Sequence, residues 1–134
     1  MSKNFPGITT DITRALRTLR NDIPEVTRAF SALAQAATTA RALDGKTKEL
    51  IALALGVAAH CDACVGFHVK ALASAGATRE ELAEALGMAV YMGGGPSLMY
   101  AAEAITAWEQ FSVPQADRAL EPSATLRTAA TANG

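Results

Sequence analysis

Alanine and leucine crowd this chain at the expense of the residues that favour strands: 30 Ala and 13 Leu stand against 6 Val and 5 Ile in 134 residues. Small and straight-chain side chains lose little freedom in a helix, whereas β-branched and aromatic ones suit a pleated surface. Half of the residues are apolar and 5% are aromatic, a mixture too apolar for a disordered chain. The expectation is an all-α domain with close helix contacts, and an all-β sandwich is argued against. The length fits one domain and leaves little room for a second.

Helical periodicity can be traced along most of the chain. Residues 1–10 read as a loose start, with Pro6 and Gly7 as breakers and Asp11 as the N-cap of a first helix reaching about Asn21. Ile12, Leu16, Leu19 and Ile23 recur at helical spacing, while Arg14, Arg17 and Arg20 fall on another, solvated face. Pro24 suits the first turn of a second helix to about Ala40, with Val26, Phe30, Leu33 and Ala37 as its apolar stripe. After Asp44-Gly45, a third helix from about Lys46 to Ala59 is apolar almost all round and is expected to be central and buried. A turn near His60 leads to a fourth helix ending at Gly76. Thr78 and Glu81 form a capping box for a fifth, which buries Leu82, Leu86, Ala89 and Val90. Gly93-Gly94-Gly95-Pro96 breaks the chain and starts a sixth, with Leu98, Ala101, Ile105 and Trp108 on one face. Met88, Met92 and Met99, with Tyr91 and Tyr100, suit a core or a subunit interface. Beyond Val113-Pro114 no stripe is sustained, so residues 1–113 read as the domain and 114–134 as a mobile tail.

The net charge of −1 is unevenly divided. Residues 1–48 carry 8 Lys/Arg and 4 Asp/Glu, net +4, and residues 49–134 carry 4 and 9, net −5. A basic N-terminal arm packed on or near an acidic body is the simplest reading. Basic and aromatic residues do not interleave, so no nucleic-acid partner is expected. The N-terminal residues lack the apolar core of an export signal. The longest apolar stretch, Leu50 to Ala59, falls short of the roughly 20 residues that span a bilayer. A cytoplasmic chain with no membrane partner is therefore expected. Thiols are kept reduced in that compartment, so two cysteines three apart point to catalysis or metal binding before a structural disulfide.

The chemistry concentrates in His60-Cys61-Asp62-Ala63-Cys64-Val65-Gly66-Phe67-His68. If Cys61 opens the fourth helix, Cys61, Cys64 and His68 share one face, continued by Leu72 and Ala75 and so expected to point inward. The first turn of a helix favours a thiolate, the attacking form of cysteine. His68, one turn beyond Cys64, can accept its proton. A second thiol three residues away can resolve an oxidised first one as a disulfide. Glu49 lies near the start of the third helix, about 15 Å of helix before the turn. An antiparallel return of the fourth helix would bring His68 back to it.

Spaced as Glu-x11-Cys-x2-Cys-x3-His, these four residues resemble the signature of the AhpD-like alkylhydroperoxidases in the carboxymuconolactone decarboxylase superfamily. The likeness runs from about Arg41 through Phe111 and includes Gly76-Ala77-Thr78 and the Gly93–Pro96 segment. It implies an all-α, AhpD-like bundle of about six helices that assembles as a homo-oligomer, a trimer or a hexamer built from dimers. It further implies a thiol-dependent peroxidase or disulfide reductase, without a cofactor, recharged by a thioredoxin-like or lipoyl dithiol donor. Carried over by position, the resemblance implies that Cys64 is the thiolate that attacks a small hydroperoxide, Cys61 the proton donor and resolving thiol, and Glu49 and His68 the proton relay. Some members carry a histidine just before the second cysteine. Here that position is Ala63 and the extra histidine is His60, which implies a shorter relay.

Other chemistries stay open. A lyase acting on a small lactone acid follows from the same resemblance, although redox thiols are unnecessary for it. A non-enzymatic redox sensor or metal-binding module is a third reading. Zinc could draw on His60, Cys61, Cys64 and His68, but four ligands this close in sequence do not readily wrap a tetrahedron, and no metal is expected. Haem attachment would need a histidine where Val65 stands. Gly45-Lys46-Thr47 is not a phosphate loop, because Ala40 occupies the required glycine position.

Overall fold

The computed structural model describes residues 2–113; the expected tail at 114–134 lies outside the described residues. The described chain forms six helices: α1 (Phe5–Asp22), α2 (Pro24–Thr38), α3 (Gly45–Ala58), α4 (Asp62–Ser74), α5 (Arg79–Gly93) and α6 (Gly95–Ser112). The fold is all-α, as the composition requires. Helices α3 to α6 form the centre, with α3 and α6 each packed on both α4 and α5. Helix α1 lies against α4 and α6, and α2 is outermost, against α1 and α3.

The core gathers Leu53 and Val57 from α3, Val65, Val69 and Leu72 from α4, and Leu82, Leu86 and Ala89 from α5. The apolar side chains of α6 that are buried in it are all small, Ala101, Ala104 and Ala107 at three-residue spacing. That stripe lets the α6 backbone approach its neighbours closely. Two glycines permit still closer contacts. A Cβ added at Gly66 would lie 2.8 Å from Thr9 Cγ2, so α1 seats directly on the backbone of α4. One added at Gly56 would lie 3.0 Å from Cys64 Cβ, so α3 meets α4 at the second cysteine.

Local signals end the helices where the sequence suggests. Asp44 accepts the Thr47 N–H at 2.7 Å, which caps α3 and holds the Asp44 carboxyl below its ordinary range. The expected capping box of α5 is present, with Glu81 N–H donating to Thr78 Oγ1 and Thr78 N–H to Glu81 Oε1. Gly94 takes φ 74° between α5 and α6, a conformation that disfavours other residues. The basic N-terminal part does pair with the acidic remainder, through Lys3 with Asp62 and Glu103, and Lys46 with Glu81. Among the described residues no helix is long and apolar enough to cross a membrane.

The structure corrects or narrows several expectations. Helix α1 begins at Phe5 rather than after Asp11: Asn4 caps it by accepting the Gly7 N–H at 3.2 Å, and Pro6 sits in the first turn. A missing N–H costs nothing there, and burial of Phe5, 1% exposed, stabilises the start by about 1.5–3 kcal/mol. Helix α3 is central but not covered all round, since Leu53, Gly56 and Val57 are buried while Ile51 and Leu55 are exposed. Of the core and interface readings for the methionine group, the single chain removes the core one for Met88, Met92, Met99 and Tyr91, which face outward, while Tyr100 packs partly against the core. The stripe of α2 is open too, with Phe30 68% exposed.

Replacing Gly66 by Val should lower thermal stability by about 2 kcal/mol, through overpacking against the stiff, hydrogen-bonded Thr9. A circular-dichroism melt measures it, and an unchanged midpoint would contradict the seating of α1 on α4.

Candidate active site

The site is built where α3 turns into α4. Helix α3 ends in a Schellman motif: His60 N–H donates to the Val57 carbonyl at 3.1 Å and Cys61 N–H to the Gly56 carbonyl at 3.0 Å. His60 occupies the left-handed position at φ 55°, usually a glycine's place. Its ring stacks on Tyr100, centroids 4.9 Å apart and planes 16° from parallel. His60 is thus a turn residue, as expected. The tight turn delivers Cys61 to the N-cap of α4, where its Sγ accepts the Cys64 N–H at 3.1 Å.

Cys61 and Cys64 are joined as a disulfide, their Cα atoms 5.2 Å apart across the first turn of α4. The sequence reading put thiols here and expected them reduced. The same spacing serves the closed state, because one helical turn brings the two sulfurs within bonding reach. Neither cysteine is deeply buried. The Cys–His face was expected to point inward, and this is corrected. The inward face of α4 carries Val65, Val69 and Leu72, while Cys61, Cys64 and His68 lie at its edge and Ala75 is exposed.

Helix α4 does return antiparallel to α3. Glu49 Oε2 sits 2.7 Å from His68 Nδ1, with side chains 21% and 31% exposed. An ionised carboxylate can only accept, so Nδ1–H donates to it. That fixes the tautomer of the neutral ring and leaves Nε2 as the atom that can take a proton. The four residues singled out in the sequence therefore form two pairs on adjacent turns, a sulfur pair and an acid–base pair. Among the described residues, no group of three or more His, Cys, Asp and Glu side chains converges as a metal site.

One cluster beside the disulfide escaped the sequence reading. Lys3 Nζ lies 3.0 Å from Asp62 Oδ1, 2.6 Å from Glu103 Oε2 and 4.9 Å from the centre of the Tyr100 ring. Its hydrogen bond to Glu103 raises the ammonium above its ordinary value, and hydrogen bonding toward Asp62 raises the Tyr100 phenol. Asp62 directly follows Cys61, so its adjacency was visible in the sequence. Its partners were not, since they come from the presumed loose start and from α6.

Comparison with known proteins agrees with this fold. The model of the carboxymuconolactone decarboxylase family matches residues 24–107. An uncharacterised protein of Cupriavidus necator is 44% identical over 96 residues, 72% of this chain and 85% of that protein. Protein 4 in the cox locus of Paracoccus denitrificans, also uncharacterised, is 35% identical over 82 residues, 61% of this chain and 74% of its own length. Among solved structures, an apo carboxymuconolactone decarboxylase family protein from Legionella pneumophila is 62% identical with a TM-score of 0.80, covering 81% of this chain and 97% of its own. A family member from Thermotoga maritima, for which a part in the antioxidative response has been suggested, is 27% identical with a TM-score of 0.72, covering 85% and 96%.

The disulfide makes a direct prediction. Oxidised protein should present no thiol to a labelling reagent, and reduction should expose both cysteines of the chain. The Cys64→Ser variant should show one thiol in either condition. Equal labelling of the native protein before and after reduction would contradict the pairing.

Proposed function

The chain belongs to the carboxymuconolactone decarboxylase family, and on that footing we propose that it is a cytoplasmic, thiol-dependent peroxidase that draws its electrons from a dithiol donor. The observation that carries this reading is the Cys61–Cys64 pair set one turn before the Glu49–His68 hydrogen bond. A redox pair alone would serve many proteins. A redox pair with a positioned base beside it is equipped to make a thiolate and to return the proton. The antioxidative role suggested for the Thermotoga protein agrees with it.

In the reduced enzyme His68 Nε2 takes the Cys64 proton. The thiolate attacks the outer oxygen of a small hydroperoxide; an S–O bond forms and the O–O bond breaks. The departing alkoxide takes the proton back from His68 and leaves as an alcohol, and Cys64 is left as a sulfenic acid. The Cys61 sulfur then attacks Cys64, the S–S bond forms, and hydroxide leaves with the Cys61 proton as water. A thioredoxin-like or lipoyl dithiol reopens the bond, supplying two electrons and two protons and becoming a disulfide itself. Glu49 holds the imidazole in the tautomer this cycle needs and stabilises it when charged.

We also propose that the chain works as a homo-oligomer, a trimer or hexamer. Val26, Phe30 and Leu33 form an apolar stripe on α2, each more than 60% exposed, more than a lone monomer comfortably shows to water.

Two measurements test these readings. Purified protein should consume an organic hydroperoxide when given a recyclable dithiol, and Cys64→Ser or Cys61→Ser should abolish turnover. Glu49→Gln and His68→Gln should keep the fold and lose about 10²- to 10⁴-fold in kcat, the usual worth of general acid–base catalysis. Undiminished turnover in Cys64→Ser would overturn the mechanism, and turnover of a lactone acid by the double cysteine variant would favour a lyase. In sedimentation, Phe30→Glu should shift an oligomer toward monomer, and a monomeric native protein would overturn the assembly.

A further inference from the structure

The segment before α1 is fastened to the redox site from two directions. Gln110 of α6 grips its backbone at both ends: Nε2 donates to the Lys3 carbonyl at 2.7 Å, and Oε1 accepts the Phe5 N–H at 2.8 Å. Phe5 is buried, which anchors the grip. The Lys3 side chain then reaches Asp62 at the start of α4 and Glu103 of α6, and lies against Tyr100. These side chains are about one-third exposed, so the ion pairs themselves add little stability. Their place matters more than their strength. Asp62 stands between the two cysteines in the sequence, and its negative charge opposes any thiolate formed on reduction.

We propose that Lys3 is a positioning residue for the thiol pair: by holding its ammonium on Asp62 it offsets the carboxylate between the cysteines and so favours the thiolate form of the reduced site. The proposal rests on the pair being the reactive centre, as argued above. Glu49, from α3, and His68, on α4, are the titratable groups on one side. On the other are His60 in the turn, Asp62, and Tyr100 and Glu103 of α6. Of all these groups Lys3 alone carries a positive charge that stays fixed through the neutral range. Without it Asp62 and Glu103 would both press unopposed on the N-terminal turn of α4. Tyr100 links the two flanks of Cys61, since it meets the His60 ring as well as Lys3.

The test is made on reduced, full-length protein. Thiolate absorbance is followed across pH, and the rate of alkylation by iodoacetamide is read near neutrality. Lys3→Met should move the thiolate titration to higher pH and slow alkylation by roughly three- to tenfold, the scale of a unit charge acting near the protein surface. Lys3→Arg should keep both close to native values. Adding Asp62→Asn to Lys3→Met should restore fast alkylation, because the opposing charge is then gone. The inference is overturned if Lys3→Met titrates like the native protein, or if Asp62→Asn leaves the slow alkylation of Lys3→Met unrescued. That second outcome would mean that Lys3 acts only through structure. None of these readouts uses peroxide. A native protein that consumed no hydroperoxide would defeat the proposed activity and leave the Lys3 result standing.

Discussion

The approach of α3 to α4 at Gly56 governs the rest of the site. With no side chain at Gly56, the Cβ of Cys64 can lie only 3.0 Å from where a Cβ of residue 56 would stand. The same Gly56 gives its carbonyl to the Cys61 N–H, so one residue sets both the helix spacing and the end of the turn. A larger residue would push the helices apart at the cysteines. Two turns earlier on α3, the 2.7 Å contact between Glu49 and His68 depends on the same helix spacing. Sulfur chemistry and proton handling are thus tied to one close backbone contact.

The site lies at the boundary of the core, and the proposed chemistry explains why that suits it. Reducing a disulfide requires a donor sulfur to approach along the S–S axis, which a fully covered pair would prevent. The acid–base pair has the opposite need. Glu49 and His68 are mostly covered, and a partly desolvated hydrogen bond holds its geometry better than one open to water. Turning the Cys–His face to the edge of α4, one step round from Val65 and Val69, meets both demands with a single helix.

The sequence made the all-α class legible because Ala, Leu and the caps act locally. Thr78 with Glu81, Asp44 and the glycines at 93–95 punctuate the chain within a few residues of where they stand. The link between Glu49 and His68 was also legible, since a short turn between two helices leaves an antiparallel return as the simple path. What stayed hidden depends on contacts between distant segments. Pro6 and Gly7 look like breakers until Phe5 is seen buried beneath them. Lys3 meets Asp62 and Glu103 at separations of 59 and 100 residues, which no local pattern encodes. The face of α4 was misjudged by one step because 3.6-residue periodicity fixes which residues share a face but not which face meets the core.

The two flanks of the disulfide differ in kind, and the difference follows from the groups themselves. On one flank an imidazole passes a proton to and from the reacting groups, so its charge changes during each proposed turnover. On the other an ammonium clasped by two carboxylates keeps its charge throughout, since an alkylammonium titrates far above neutrality. A thiolate placed between them meets a constant background on one side while the proton moves on the other. Exchanging the two would fail. A lysine in the place of His68 would hold its proton too tightly to act as the proposed base, and a histidine in the place of Lys3 would make the background vary with pH.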